Sequence, residues 1–295
     1  MFIAEVFRGL EKEDLRVLQV IEAGMSEYKF VPKELIAKYT KFSSKETFFR
    51  LDRISKFNLV RRRRGSYVGY TLNYAGYDCL AMNALVKAGV LEALGKSLGV
   101  GKEADVYDAL NPDGENIAVK FHRLGRVSFR ETMRKRGYAT QHTGWLHRSR
   151  LAAEKEFQGL NLVFPCGVAV PEPITQNRHV VVMGMIAGGE LSEFQELPEP
   201  KNILKQILTN VRKAYLKANI IHADLSEYNI LVKPNMQIQI IDWPQYVTND
   251  HPNAQQLLKR DIKNILQFFK RKHMMKIGLK KCLDYITKSD RPLLI

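Results

Sequence analysis

The stretch Asn219-Ile-Ile-His-Ala-Asp-Leu-Ser-Glu-Tyr-Asn-Ile-Leu-Val232 decides the fold. An apolar pair, Ile220-Ile221, leads into His222 and Asp224. Asn229 follows, and Ile230-Leu231-Val232 reads as a short strand. Lys233-Pro-Asn235 reads as a turn, and Ile238 to Ile241 as a second short strand that delivers Asp242. A carboxylate, a carboxamide and a second carboxylate at this spacing suit phosphoryl transfer. Asp224 would receive or orient the attacking hydroxyl, and Asn229 and Asp242 would hold the magnesium ions that bridge the phosphates. In isolation these residue types are ordinary turn formers, so the chain upstream has to decide.

Upstream, Leu98-Gly-Val-Gly-Lys-Glu-Ala-Asp-Val-Tyr107 reads as a glycine-rich loop between two strands. Gly99 and Gly101 let the backbone approach phosphates, and Val100 and the residues Lys102, Glu103, Ala104, Asp105 and Val106 can aim amides at them. The third glycine of the usual loop is missing. Ile117-Ala-Val-Lys120 then matches the strand that carries a phosphate-pairing lysine. Glycine loop, Lys120, Asp224, Asn229 and Asp242 occur in the order of a protein-kinase core. Such a core needs a helix glutamate to hold the lysine. Ser149 to Leu160 is a good helix, and both Glu154 and Glu156 are candidates that periodicity does not separate. Residues 128–143, basic and polar, read as a mobile loop. Val180 to Ile186 is an apolar strand running into a linker, suited to a hinge where adenine would bond to backbone.

The first eighty residues have a different pattern. Glu11 to Gly24 and Pro32 to Tyr39 read as helices, and Ser43-Ser-Lys-Glu46 as a capping box opening a third helix to about Phe57. Leu59-Val60 and Tyr67 to Leu72 read as two strands joined by Arg61-Arg-Arg-Arg-Gly-Ser66. Three helices and a basic hairpin are the layout of a winged helix. The third helix would enter a groove and expose Lys45, Arg50 and Arg53, and the wing arginines Arg61, Arg62, Arg63 and Arg64 would lie along phosphates. Tyr74 to Leu94 reads as a helix that bridges to the rest of the chain.

Composition agrees with a partner that is acidic. The chain has 295 residues and a formal net charge of +15, which favours nucleic acid. Lys and Arg number 15 against 10 acids over residues 1–80, 9 against 1 over 120–150, and 11 against 3 over 259–295. Cys79, Cys166 and Cys282 lie far apart and form no CxxC pair, which points to a reducing cytoplasm. No apolar run approaches the ~18 residues of a membrane helix, and the start lacks the zones of a signal peptide.

The chain resembles the Rio family of atypical protein kinases, specifically its second, winged-helix subfamily. The match is carried by Gly-Val-Gly-Lys-Glu-Ala-Asp-Val-Tyr (99–107), Ala-Val-Lys-Phe-His-Arg-Leu-Gly-Arg (118–126) and Gln-Asn-Arg-His-Val-Val-Val-Met (176–183). It continues through His222-Ala-Asp224, Asn229, Ile-Asp-Trp-Pro-Gln (241–245) and His-Pro-Asn-Ala (251–254). The resemblance implies an α+β fold: a winged helix over 1–80, a helical linker over 81–95, a kinase amino-terminal lobe over 96–186, and a truncated carboxy-terminal lobe over 187–295. It implies ATP with Mg2+, or Mn2+ in its place, and a serine/threonine kinase or ATPase in small ribosomal subunit maturation, with autophosphorylation. Its partners would be the precursor subunit, its rRNA and ribosomal proteins, with no membrane. Asp224 would be the catalytic aspartate, and Lys120 would pair the phosphates with Glu156 as its partner. Asn229 and Asp242 would be the metal ligands, with phosphate passing through Asp242. Met183 would be the gatekeeper, Gly184 and Ile186 the hinge contacts, and Ala118, Leu231 and Ile241 would line the nucleotide.

The chain departs from the family at Ala104, usually Ser; at Ala223, usually Gly; at Gly184, usually Glu; and at Trp243, usually Phe. No Ala-Pro-Glu segment follows Asp242, so the lobe that docks peptides in ordinary kinases is truncated. Asp261 reads as an acid that orients the catalytic loop, or as one paired with Lys259 or Lys263. A conventional kinase of broad specificity is disfavoured by the truncation. A nucleic-acid-binding regulator that uses its kinase lobe as a nucleotide-sensing scaffold is disfavoured by the complete set of catalytic groups.

Overall fold

The computed structural model describes residues 3–125 and 141–288, with the side chains of 141–143 excepted. The expected mobile basic loop therefore falls outside the described residues over 128–140, and 141–143 open a helix. The chain divides into two compact units, residues 1–153 with 176–180, and residues 154–175 with 181–295. The fold is α+β, an amino-terminal winged helix followed by a two-lobed kinase-like domain. Among the described residues no helix is long and apolar enough to cross a membrane.

In the first unit, α1 (Ile3–Arg8), α2 (Lys12–Gly24), α3 (Lys33–Thr40) and α4 (Ser44–Lys56) precede a hairpin, β2 (Val60–Arg64) and β3 (Val68–Leu72). A short β1 (Val31–Pro32) completes a sheet of order β1-β3-β2. Ser43 caps α4 by accepting the amide of Glu46 at 3.2 Å, one half of the expected capping box; the Glu46 carboxylate accepts from Arg50 Nε at 2.6 Å. The arginine run differs from expectation. Arg61 to Arg64 form the strand β2 itself, paired with Thr71 to Val68, and the turn is Gly65 to Tyr67. β2 pairs only with β3 in this sheet, so one edge is open and a strand can carry four exposed charges there.

Val17, Leu18, Ile21, Ile36, Leu51 and Ile54 are fully buried and make the centre of this core. α5 (Tyr74–Lys87) is capped by Asn73, which accepts the amide of Gly76 at 3.0 Å. Position 76 requires glycine, because a Cβ there would lie 2.3 Å from the carbonyl oxygen of Leu59. The helix is shorter than expected. It ends before Gly89, whose φ of +66° reverses the chain, and a strand, not a helix, occupies 93–95. Three antiparallel strands follow, β4 (Ala93–Val100), β5 (Ala104–Leu110) and β6 (Asn116–His122). The turn around Arg178 returns beside β6, where the His122 amide donates to the His179 carbonyl at 2.8 Å.

In the second unit, the helix Pro200–Leu216 buries Ile203, Leu204, Ile207, Leu208, Val211 and Ala214 along one stripe. The helix Ala254–His273 buries Leu258, Ile262, Ile265, Phe268 and Phe269, with Asp261 inside the same stripe. Two small antiparallel sheets complete the unit: β9 (Gly189–Glu190), β11 (Ile230–Val232) and β12 (Ile238–Ile240) in the order β12-β11-β9, and β10 (Ile220–Ile221) with β13 (Val247–Thr248). The strand–turn–strand expected around Lys233 is the β11–β12 hairpin.

Candidate active site

In the first unit, the glycine loop joins β4 to β5. The Gly101 amide donates to the Ala104 carbonyl at 2.8 Å, and Gly99 lies opposite Val106. Val100, Gly101, Lys102 and Glu103 are exposed. Lys120 lies on β6 directly across from Val106, two residues from buried Ala118. The lysine is itself 8% exposed, so its ammonium is held at the sheet and not in bulk water.

Asp105 has a partner that sequence reading missed. Arg123 donates from Nε to Asp105 at 3.0 Å and from both Nη atoms to Asp78 at 2.5 and 2.9 Å. Its own amide donates to the Glu103 carbonyl at 2.5 Å. His179 Nε2 shares Asp78 at 2.7 Å. The cluster is buried throughout. Burial opposes the Arg123 charge, but Asp78 and Asp105 outweigh it and raise the guanidinium pKa. Burial likewise pushes His179 down to about 4, so it stays neutral. Arg123 falls in the basic stretch 120–150, yet it is a buried tie between α5 and the glycine loop. The legible signal was Asp78, an acid inside the apolar run Tyr77-Asp-Cys-Leu-Ala-Met82.

In the second unit, the loop 222–229 is pinned by its backbone. The Ala223 amide donates to Asp261 Oδ2 at 2.8 Å. Arg260 donates to the Ala223 carbonyl. Asn229 donates from Nδ2 to the Asp224 carbonyl at 2.8 Å, which leaves its Oδ1 as the atom able to ligate a cation. His222 Nε2 bonds the Ile241 carbonyl at 2.9 Å, tying this loop to the residue before Asp242. Asp224 itself is exposed, while Asn229 and Asp242 are half-buried. Ala223 and Asp242 sit at φ +63° and +68°, the left-handed region. Two such residues flanking one site are a pattern of held strain.

Glu156 joins this group. Burial lowers the His222 pKa, and the bond to the Ile241 backbone and the charges of Asp242, Asp224 and Glu156 oppose it. Glu156 is 1% exposed whereas Glu154 is half-buried. The helix Gln141–Val163 that carries Glu156 comes close to the segment after Asp242. A Cβ at Gly159 would meet Tyr246 at 2.9 Å and Trp243 at 3.2 Å. Trp243 is buried, 4.6 Å from His222 ring to ring, and its indole donates to the Ile240 carbonyl at 3.2 Å. Asp261 is buried, and burial pushes its pKa up to about 7 against the bonds it accepts. It is the loop-orienting acid, not the partner of Lys259 or Lys263.

Met183 is buried at the end of β8 (Val180–Gly184). The Gly184 amide donates to the Glu172 carbonyl at 2.8 Å, so a base at the hinge would use other backbone atoms, the Gly184 carbonyl or Ile186. Leu231 and Ile241 are half-buried on either side of the β11–β12 turn. Two oxygen donors, Asn229 and Asp242, would suit magnesium, which is typically held by one or two protein groups plus substrate phosphates. Among the described residues no cluster of three or more His, Cys, Asp or Glu could hold a metal by itself.

The expected nucleic-acid residues separate. Lys45 and Arg61 to Arg64 are exposed. Arg50 is 8% exposed and binds Glu46 at 2.6 Å, Glu11 at 2.7 Å and Asp14 at 3.3 Å. Arg53 binds Asp14 at 2.8 Å and the Gly9 carbonyl at 2.5 Å. Both turn into α2 because Asp14 is fully buried there and requires compensation. The expectation that α4 exposes them is corrected.

Residues 105–282 match the RIO domain family, and residues 7–88 match the Rio2 amino-terminal family. A RIO-type serine/threonine-protein kinase Rio2 of Methanocaldococcus jannaschii is 46% identical over 90% of this chain and all of its own length. Serine/threonine-protein kinase rio2 of Schizosaccharomyces pombe is 36% identical over 92% of this chain and 80% of its own. That of Dictyostelium discoideum is 36% identical over 91% of this chain but 52% of its own, so the chain spans about half of that relative. A crystal structure of the Rio2 kinase-ADP/Mg2+-phosphoaspartate complex from Chaetomium thermophilum superposes with a TM-score of 0.82 at 31% identity, covering 97% of this chain and 89% of that one.

Proposed function

The chain belongs to the Rio2 branch of the RIO family of serine/threonine-protein kinases, and from that premise we propose that it is an ATP- and magnesium-dependent phosphotransferase and ATPase of small ribosomal subunit maturation. The observation that carries the reading is the pinned loop: exposed Asp224 with Asn229 clamped to its carbonyl, and His222 bonded to the carbonyl of Ile241, the residue before Asp242. Asn229 and Asp242 would hold magnesium, which neutralises charge on the transferring phosphoryl group. Lys120 would pair the phosphates and Glu156 would hold it.

The relative from Chaetomium thermophilum is described with a phosphoaspartate. In this chain Asp242 would play that part. An oxygen of its carboxylate attacks the γ-phosphorus of ATP, the bond to the β-phosphate oxygen breaks, and ADP leaves. Water then attacks the acyl phosphate, Asp224 accepts its proton, and inorganic phosphate departs with Asp242 restored. A serine or threonine hydroxyl, including one of this chain, could replace water. The protein would act in the cytoplasm on the precursor subunit, its rRNA and ribosomal proteins, as the basic wing and net charge of +15 favour.

The test is Asp242→Ala. Labelled ATP should leave an acid-stable, hydroxylamine-sensitive phosphoenzyme on the wild type and none on the variant, and magnesium should no longer tighten nucleotide binding. An unchanged phosphoenzyme and magnesium titration would remove Asp242 from both roles.

A further inference from the structure

We propose that the exposed face of α4 is a stacking platform for unpaired bases of RNA; this rests on the RNA-partner reading above and deepens it. Lys45, Phe48, Phe49, Asp52 and Lys56 recur at three- and four-residue spacing, so they share one helical face, and all five are exposed. Phe48 is 62% and Phe49 52% exposed. The opposite face, Thr47, Arg50, Leu51 and Ile54, is the buried one. The rings are therefore committed to the outside by the helix's own register. Tyr39, near the end of α3, is 59% exposed beneath the Lys38 ammonium.

The Arg50 guanidinium lies 5.2 Å over the Phe49 ring, which leaves Phe48 and the other face of Phe49 on the exposed stripe for a partner. Their chemistry limits what that partner offers. Reading base edges in a groove takes hydrogen-bonding side chains, and the arginines of α4 that would supply them, Arg50 and Arg53, are turned into α2. A phenyl ring presents only its π-face, and every base has a matching one. Bases inside a duplex are already stacked on each other; only unpaired bases have a face to give. The surroundings favour a polyanion over an apolar protein groove. Lys38, Lys41, Lys45 and Lys56 and the wing Arg61 to Arg64 are exposed. The acids of residues 33–64 are each paired with a base: Glu34 with Lys33, Glu46 with Arg50, and Asp52 with Lys56.

The experiment measures anisotropy of the full chain with a fluorescent oligoadenylate and with an RNA duplex, over a salt series. For Phe48→Ala/Phe49→Ala, affinity for oligoadenylate should fall roughly tenfold or more per ring. The salt slope should stay unchanged because no charge is lost, and duplex binding should be unaffected. Phe48→Trp/Phe49→Trp should bind at least as tightly as wild type, with its new indole fluorescence quenched by oligoadenylate. That variant decides the matter even where the alanine protein folds poorly: absent quenching overturns the proposal. Unaltered affinity of a folded alanine variant also overturns it while leaving the RNA reading intact, with the rings assigned to a protein partner. Failure of the wild type to bind either probe overturns the RNA reading and this inference together.

Discussion

The carboxylate of Asp261, on the helix Ala254–His273, accepts the backbone amide of Ala223 at 2.8 Å, next to Asp224. A buried acid thus sets the backbone from which Asp224, the proposed catalytic aspartate, projects.

The Asp261 pKa is raised from an ordinary 3.8 to about 7 by burial. The folded protein holds this proton more tightly than the unfolded chain between those values. The stability linked to it is complete below about pH 4 and is lost as pH rises through about 7. Asp261→Asn, which still accepts from the amide, should flatten this decline. Asp261→Ala should cost ~1–3 kcal/mol by leaving the Ala223 amide unpaired. Urea midpoints at pH 5, 6, 7 and 8 check both. A wild-type profile that matches that of Asp261→Asn would show that the group does not titrate in this window.

Ala223 occupies a left-handed conformation, φ +63°. A Cβ there costs ~1–2 kcal/mol, while glycine adds ~0.5–1 kcal/mol of unfolded-state entropy. Ala223→Gly should therefore stabilise by up to ~1 kcal/mol, read as a higher thermal midpoint. A lower midpoint would mean that the methyl group contributes packing that exceeds the strain.

Asp78 is shared by Arg123 and His179 in a buried cluster. Asp78→Asn should destabilise by ~3–5 kcal/mol, the cost of leaving a buried charge uncompensated. The neutral His179, lowered from 6.5 to about 4 chiefly by burial, works opposite to Asp261. The unfolded chain takes the proton first, so its contribution is complete above pH 6.5 and is lost as pH falls toward 4. His179→Gln should remove that acid sensitivity, which chemical denaturation at pH 4.5 and 7 would reveal.

Asp224→Asn should nearly abolish ATP turnover and spare nucleotide binding, because affinity comes from phosphate, metal and adenine contacts. Lys120→Ala should weaken turnover more than it disturbs folding, since its ammonium stabilises charge that arrives with the nucleotide. Turnover of Asp224→Asn at the wild-type rate would refute the role of Asp224. A large loss of melting temperature in Lys120→Ala would make that lysine structural.

The sequence by itself determined the order of the candidate catalytic groups, the Ser43 cap, and the strand–turn–strand that delivers Asp242. Each depends on neighbours a few residues apart, and backbone geometry makes such patterns periodic. Only the tertiary structure decided which glutamate is buried, because Glu154 and Glu156 both fit one helix, and which side of it is buried depends on residues distant in sequence. It also reversed the reading of Arg50 and Arg53, whose acids Glu11 and Asp14 lie some forty residues earlier, and it buried Arg123 against Asp78 on α5. A charged side chain goes to whichever opposite charge the folded chain buries beside it, and that neighbour lies beyond the reach of any local pattern.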